Sequence, residues 1–349
     1  MTAVTQPGWL QQNIELQPLN TMGLPGKARY FSKVSTSEEL QKVLSWARAQ
    51  NRMRIMALGG GSNIVLQGDF EGLVISVSIP GRKLVPDQAS GKILVQAGAG
   101  ENWHEFVRWT IQQGWCGLEN LSLIPGNVGA APIQNIGAYG VEIKDVFHSL
   151  EAVEIATGAV KRFSAEECAF GYRDSVFKGE CRERFIISSV TFELSETFEP
   201  SLGYGQLQQN VLAAAQGGDM TARLVSDTVC RIREQKLPDP AQVGNAGSFF
   251  KNPVIEADHY QNLLEQEPDL IAYPAGGDMW KLAAGWLIDR CGFRGVTRDS
   301  GAGVYQHQAL VLVNHGSASG KDILALAAEV KEKVRERFGV ELEIEPRIY

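Results

Sequence analysis

The chain has 349 residues, with 33 Lys and Arg against 40 Asp and Glu and a formal charge of −7. It is long enough for more than one domain and too acidic to hold a phosphate backbone nonspecifically, so nucleic acid is not an expected partner. No apolar run approaches a membrane-spanning length, and the start, MTAVTQPGWLQQN, lacks the basic-then-apolar pattern of a secretory signal. Five scattered cysteines never form a C-x-x-C pair, and five dispersed histidines never form an H-E-x-x-H. That usage implies reduced thiols in the cytoplasm, no disulfide framework and no metal site.

In chain order, Ser35 to Glu39 supplies capping boxes ahead of Leu40, Val43, Leu44 and Ala47, which recur at helical spacing. Ile55 to Leu58 reads as a strand. Gly59, Gly60, Gly61, Ser62 and Asn63 then join it to a second strand, Ile64 to Leu66, whereas a dinucleotide-binding Rossmann fingerprint joins strand to helix. Lys92 to Gln96 is a further strand, followed by Gly98-Ala99-Gly100 and an amphipathic helix bearing Trp103, Phe106, Val107 and Ile111. The sixth position of that glycine pattern is Trp103, which disfavours a nicotinamide Rossmann domain, and no P-loop is present.

Ile124 to Gly140, IPGNVGAAPIQNIGAYG, carries no charged side chain and is too broken by glycine and proline for a core helix. Bare backbone N–H groups in such a segment can hold phosphate oxygens without a basic residue. The alternative is a buried, turn-rich connection with packing glycines. Short strands are predicted at Leu150 to Ile155, Val160 to Phe163 and Phe185 to Leu194, with Thr157-Gly158 turning between the first two. Helices are predicted over Leu207 to Ala215 and Met220 to Arg233, and Leu237-Pro238-Asp239-Pro240 marks a domain boundary. Lys281 to Asp289 reads as a packed helix ending near Cys291-Gly292. A final amphipathic helix, Lys321 to Phe338, buries Ile323, Leu324, Ala327, Val330, Val334 and Phe338.

Three constellations could carry chemistry. Ser248 lies in GNAGSFFKNP between small residues and an aromatic pair, without the G-x-S-x-G of a nucleophile elbow. It could lend a proton to a substrate carbon, although a serine alone more readily satisfies a glycine-turn backbone. Arg173, in GYRDSVFK, offers a planar fork that matches a carboxylate, or a structural ion pair with Asp174 or another carboxylate. Glu341, Glu343 and Glu345 alternate along one strand face that ends at Pro346 and Arg347, a pattern typical of a solvent-facing edge strand.

Together these segments, in this order, resemble UDP-N-acetylenolpyruvoylglucosamine reductase over nearly the whole chain. The resemblance implies an α+β protein with a vanillyl-alcohol-oxidase-like FAD-binding fold of two α+β subdomains and a C-terminal α+β substrate-binding domain. The expected divisions are 15–80, 81–235 including the Tyr204 loop, and 236–349. It implies noncovalent FAD, NADPH as co-substrate, a nucleotide-sugar substrate in peptidoglycan precursor synthesis, and a monomer. The cofactor is expected on Gly59, Gly60, Gly61, Ser62, Asn63, Pro125, Gly126, Gly129, Ala130, Gln134, Asn135, Gly137, Ala138, Tyr139 and Arg173. The substrate is expected on Tyr139, Tyr204, Arg233, Lys236, Asn252, Tyr273, Lys281, Gln308 and Arg347. Tyr204 matches the loop tyrosine of the type I branch. Ser248 resembles the proton donor to C2, Glu345 the second catalytic group, and Arg173 the partner of the enolpyruvyl carboxylate, with hydride passing from flavin N5 to C3.

Two rivals remain. One is an alcohol or sugar oxidase of the same flavin fold, in which FAD is often tethered through histidine or cysteine; neither residue occurs in Gly59 to Asn63 or Ile124 to Gly140. The other is a nucleotide-sugar sensor, which would have no need of a proton donor.

Overall fold

The computed structural model describes residues 7–50, 52–86 and 92–349; the first six residues of the start read above for a signal pattern lie outside it. The chain forms two compact units. One holds the chain up to Ile14, Ala28–Gly60 and Phe70–Arg233; the other holds Glu15–Lys27, Gly61–Asp69 and Glu234–Tyr349. Among the described residues no helix is long and apolar enough to cross a membrane.

A four-stranded sheet, all of the first unit except the end residues Glu15 and Lys27, runs in the order Gln11–Glu15, Lys27–Val34, Phe70–Val77, Ile55–Leu58. Phe70–Val77 is parallel to both of its neighbours. Helix Ser37–Ala49 starts where the sequence sets it. Thr36 accepts from the Glu39 N–H at 3.1 Å, and the Glu39 carboxylate accepts from the Ser35 N–H at 2.7 Å. Its buried face is Leu40, Val43, Leu44 and Ala47, in one core with Leu73, Ile75 and Val77 of the central strand.

A five-stranded antiparallel sheet follows: Val160–Ser164, Phe147–Glu154, Phe185–Leu194, Ile93–Gly98, Arg82–Val85. Helix Trp103–Gln112, capped by Asn102, buries Trp103, Phe106 and Val107 in the core of this sheet. Phe106 lies 5.3 Å from the Phe192 ring, and the Trp103 indole N–H donates to Leu121 O at 2.8 Å. The buried position in the last turn is Thr110, while the expected Ile111 is half-buried. The Thr110 hydroxyl tolerates this because it donates to Val107 O at 2.8 Å. Helices Leu207–Ala215 and Ala222–Lys236 share a smaller core of Leu207, Val211, Val225, Val229 and Ile232.

The second unit has two three-stranded antiparallel sheets. One is Gly244–Asn245, Leu312–Asn314, Ala302–Val304; the other is Val254–Glu256, Met279–Leu282, Ala272–Pro274. Three expectations change here. The helix foreseen from Lys281 begins at Ala284, because Lys281 and Leu282 finish a strand and Asn252 Oδ1 takes the Ala284 N–H at 2.9 Å. In helix Gly320–Phe338 the buried stripe contains Leu326, and Leu324 is only half-buried. The strand foreseen over 341–347 is a single bridge between Ile344 and Phe250, then Arg347–Ile348 paired in parallel with Ile64–Val65. Pro346 between them has no N–H to continue a ladder.

Phe106 sits at the aromatic centre of the antiparallel sheet's core, so Phe106→Ala is expected to cost about 3–5 kcal/mol. Urea unfolding followed by tryptophan fluorescence measures this; a loss under about 1 kcal/mol would contradict the packing described.

Candidate active site

In the first unit the uncharged segment turns repeatedly, with positive φ at Leu123, Gly126, Asn135, Tyr139 and Gly140 around a 3₁₀ helix at Val128–Gln134. Gly129 within it is tied by its N–H to Ala99 O at 2.9 Å. Gly60, next to Gly59 after strand Ile55–Leu58, lies against this segment: a Cβ there would stand 2.8 Å from Asn127 Oδ1 and 3.0 Å from Gly126 Cα. Among the described residues the N–H groups of Gly60 and Gly126 have no hydrogen-bond partner. Two backbones in contact with open donors and no charged side chain form a cradle for phosphate oxygens. Pro125, Ala130 and Gln134 belong to the same turn-rich surface, and Ala130 is exposed.

Asn135 is fully buried with φ 44° and ψ 62°. Its Nδ2 donates to Glu142 Oε2 and Gly171 O, both at 2.9 Å, and its Oδ1 accepts from the Lys144 N–H at 3.1 Å. These bonds fasten the uncharged segment to the hairpin that carries Arg173. That hairpin is closed by the reciprocal pair Gly171 and Asp174, and Arg173 at its tip has φ 52°. Lys178 Nζ holds the Arg173 carbonyl at 3.2 Å. The guanidinium donates to Gly137 O at 2.7 Å and Asn135 O at 3.5 Å, and stands 3.9 Å from Glu142. Gly137 and Ala138 form a two-residue strand paired with Val141–Glu142. The sequence reading singled out Arg173 and not Glu142, because two residues of strand give no period to read.

Tyr139 packs with helices Leu207–Ala215 and Ala222–Lys236, and its ring meets Tyr204 edge-on at 6.1 Å. Tyr204 is 44% exposed and sits in the loop before the first of these helices. Burial pushes the Tyr139 phenol up, opposed by Arg233. Burial pushes the Arg233 guanidinium down, aided by Arg173 and opposed by Tyr139 and Cys230. Arg233 Nε is buried with no partner among the described residues. A buried cation with an unmet donor is the chemistry that an anionic ligand satisfies. Lys236 closes the same helix and is exposed.

In the second unit the chain's last segment gathers three predicted positions. Glu345 N–H donates to Phe249 O at 2.9 Å, beside Ser248, and Arg347 N–H donates to Asn63 O at 3.0 Å, beyond Gly61 and Ser62. Glu341 and Glu343 are exposed, whereas Glu345 and Ser248 are half-buried. The alternation read as a solvent face therefore fails at Glu345, one residue before Pro346. Gln308 Oε1 accepts from the Leu310 N–H at 3.3 Å, and Leu310 O accepts from the Phe249 N–H at 2.8 Å. Tyr273 and Lys281 stand opposite one another on the other sheet, and Arg347 lies 4.8 Å from the Tyr349 ring.

A sequence model of the UDP-N-acetylenolpyruvoylglucosamine reductase C-terminal domain matches residues 239–349, and an FAD-binding-domain model matches 28–164. The reductase of that name from Pseudomonas putida is 50% identical over 339 residues, 97% of this chain and 98% of that protein. The chain belongs to the UDP-N-acetylenolpyruvoylglucosamine reductase family. It is an FAD-containing oxidoreductase. The reductase from Paraburkholderia phymatum is 52% identical over 95% of each chain. Among solved structures, the reductase from Thermus caldophilus matches with a TM-score of 0.64 at 24% identity, covering 96% of this chain and 97% of that one. A VAO-type flavoprotein from Myceliophthora thermophila matches with a TM-score of 0.50 at 14% identity, over 93% of this chain and 73% of that one. The fold is therefore α+β with a vanillyl-alcohol-oxidase-like FAD-binding part, as the sequence led one to expect.

Asn120 supports Tyr139 from below, donating to Tyr139 O at 3.0 Å and Ser201 O at 2.7 Å. Its neighbour Glu119 is buried, and burial pushes its carboxyl up despite the N–H of Gly117. A raised folded pKa means the neutral form's stabilisation is complete below the unfolded value near about 4.3 and is lost as pH rises through the folded value. Glu119→Gln should therefore gain stability relative to the parent as pH rises from about 4 to 8. Thermal melts across that range test it, and a pH-independent difference would contradict the assignment.

Proposed function

We propose that the chain reduces the enolpyruvyl group of UDP-N-acetylglucosamine enolpyruvate to UDP-N-acetylmuramate for peptidoglycan synthesis, with NADPH as co-substrate. The observation that carries this reading is Arg173, a guanidinium fixed by two backbone carbonyls at the tip of a strained hairpin. Positive φ on a non-glycine residue costs free energy, and the surrounding bonds hold Arg173 there. Such a cation is preorganised for a carboxylate on which negative charge grows.

The residues present fit FAD. The open N–H groups of Gly60 and Gly126 suit its pyrophosphate, and the uncharged surface through Gln134, Gly137, Ala138 and Tyr139 suits a large planar ring. Neither glycine-rich segment has a histidine or cysteine to tether it, so the FAD is noncovalent. When bound, FAD supplies the hydride that the protein itself cannot.

The chain's own residues do the rest. Arg173 binds the enolpyruvyl carboxylate and stabilises the charge that moves onto it when C3 becomes saturated. Ser248 gives its hydroxyl proton to C2; an alcohol is a weak acid, but the enolate carbon is a strong base, so position suffices. Glu345, half-buried on the segment bonded beside Ser248, is the second proton-handling group. Arg233 holds the nucleotide sugar's anionic part with the donor the protein leaves unmet, and Tyr204 closes over the same ligand with Lys236. Asn252, Tyr273, Lys281, Gln308 and Arg347 complete the contacts to the sugar nucleotide. Asn252 does so from a side chain already anchored on the Ala284 N–H.

Ser248→Ala separates the two half-reactions. NADPH should still bleach the flavin at near-normal rate, because no carbon is protonated in that step. Reoxidation by the enolpyruvyl substrate should slow by at least the roughly 10²–10⁴-fold of general acid assistance. Stopped-flow traces with equal losses in both halves would remove Ser248 from this role.

A further inference from the structure

Glu142 is a carboxylate beside the Arg173 guanidinium to which the proposed reaction gives no part. It ends the short strand Val141–Glu142, directly opposite Gly137. Its carboxylate accepts from Asn135 Nδ2 at 2.9 Å, meets Lys144 Nζ at 2.8 Å and lies 3.9 Å from Arg173 Nη1. The Glu142 and Arg173 side chains are each 20% exposed, so water screens the pair only weakly. A Cβ on Gly137 would stand 2.8 Å from Glu142 Cγ and 3.0 Å from Arg173 Nη1. The two side chains therefore close over a position that only glycine fills.

We infer that Glu142 is a positioning residue for Arg173, acting through its charge. Two carbonyls at 2.7 and 3.5 Å fix one edge of the guanidinium, and the longer contact leaves rocking about that edge possible. A carboxylate beside Nη1 opposes that motion, while Asn135 and Lys144 hold the carboxylate in turn. Glu142 itself does not bind substrate; a second anion so close to the enolpyruvyl carboxylate weakens ground-state binding. Removing its charge should thus loosen the alignment that matters as charge develops without weakening the bound ground state. The effect belongs in kcat and not in KM.

This inference rests on the role proposed for Arg173, and a double-mutant cycle on the holoenzyme tests the two separately. Glu142→Gln keeps an acceptor for Asn135 and loses the charge. Its kcat with the enolpyruvyl substrate should fall about tenfold with no rise in KM, in the range of coupling for side chains in one network. Glu142→Asp, which retains the charge, should recover most of that rate. In the Arg173→Ala background Glu142→Gln should cost nothing further. Wild-type kcat in Glu142→Gln, a Glu142→Asp as slow as Glu142→Gln, or losses that multiply in the double variant would each overturn the inference. Wild-type turnover in Arg173→Ala alone would instead overturn the reading on which it rests.

Discussion

The site in the first unit depends on the buried side chain of Asn135. Its backbone is left-handed, a conformation that asparagine tolerates far better than branched or bulky residues, and its amide is bonded at both ends. One amide thereby joins the end of the 3₁₀ helix, the Glu142 carboxylate, the Lys144 backbone and the hairpin of Arg173. The Asn135 carbonyl in turn receives the guanidinium of Arg173. An apolar residue here would take the acceptor from the Lys144 N–H, leave the Gly171 carbonyl with the Asp174 N–H alone, and unfasten the segment from the hairpin. Asn135 was expected to contact the cofactor; its side-chain amide is engaged within the protein, where it sets the shape of the segment.

Charge is used sparingly around this frame. The segment from Ile124 to Gly140 offers backbone donors in place of lysine or arginine, so a diphosphate can be held without a cation that would compete for the substrate carboxylate. Two of the cations present are costly ones: Arg173 carries backbone strain and Arg233 is desolvated with an unmet N–H. A protein keeps such groups where a ligand repays their cost. In the second unit main-chain bonds place the final segment. It is sewn to Phe249, the neighbour of Ser248, and to Asn63 through main-chain bonds from Glu345 and Arg347.

Much of this was legible in the sequence, and what was not has a physical reason. Thr36 and Glu39 start a helix through bonds three residues apart, and Phe185–Leu194 is a strand over its full expected length because its pattern is local and long. Leu326 displaces Leu324 because apolar residues lie on both sides of the stripe, and only the neighbouring strands decide which side turns inward. The helix expected from Lys281 starts late because its first N–H is met by Asn252, far back in the chain. Membership of Gly61–Asp69 in the second unit follows from parallel pairing of Ile64–Val65 with Arg347–Ile348, a contact between opposite ends of the chain that no window can register. Ser248 and Arg173 were recognised as parts of a combination of segments, since each residue type alone reads more easily as ordinary structure.

In the proposed reaction one flavin protein accepts electrons from NADPH and passes them to an enolpyruvyl nucleotide sugar. Anaerobic visible spectroscopy of the purified holoenzyme tests it in a single cuvette. NADPH should bleach the flavin absorption, and stoichiometric UDP-N-acetylglucosamine enolpyruvate should restore it with formation of UDP-N-acetylmuramate. A flavin that bleaches and stays reduced when that substrate is added, or that recovers without yielding the lactyl ether, would contradict the account.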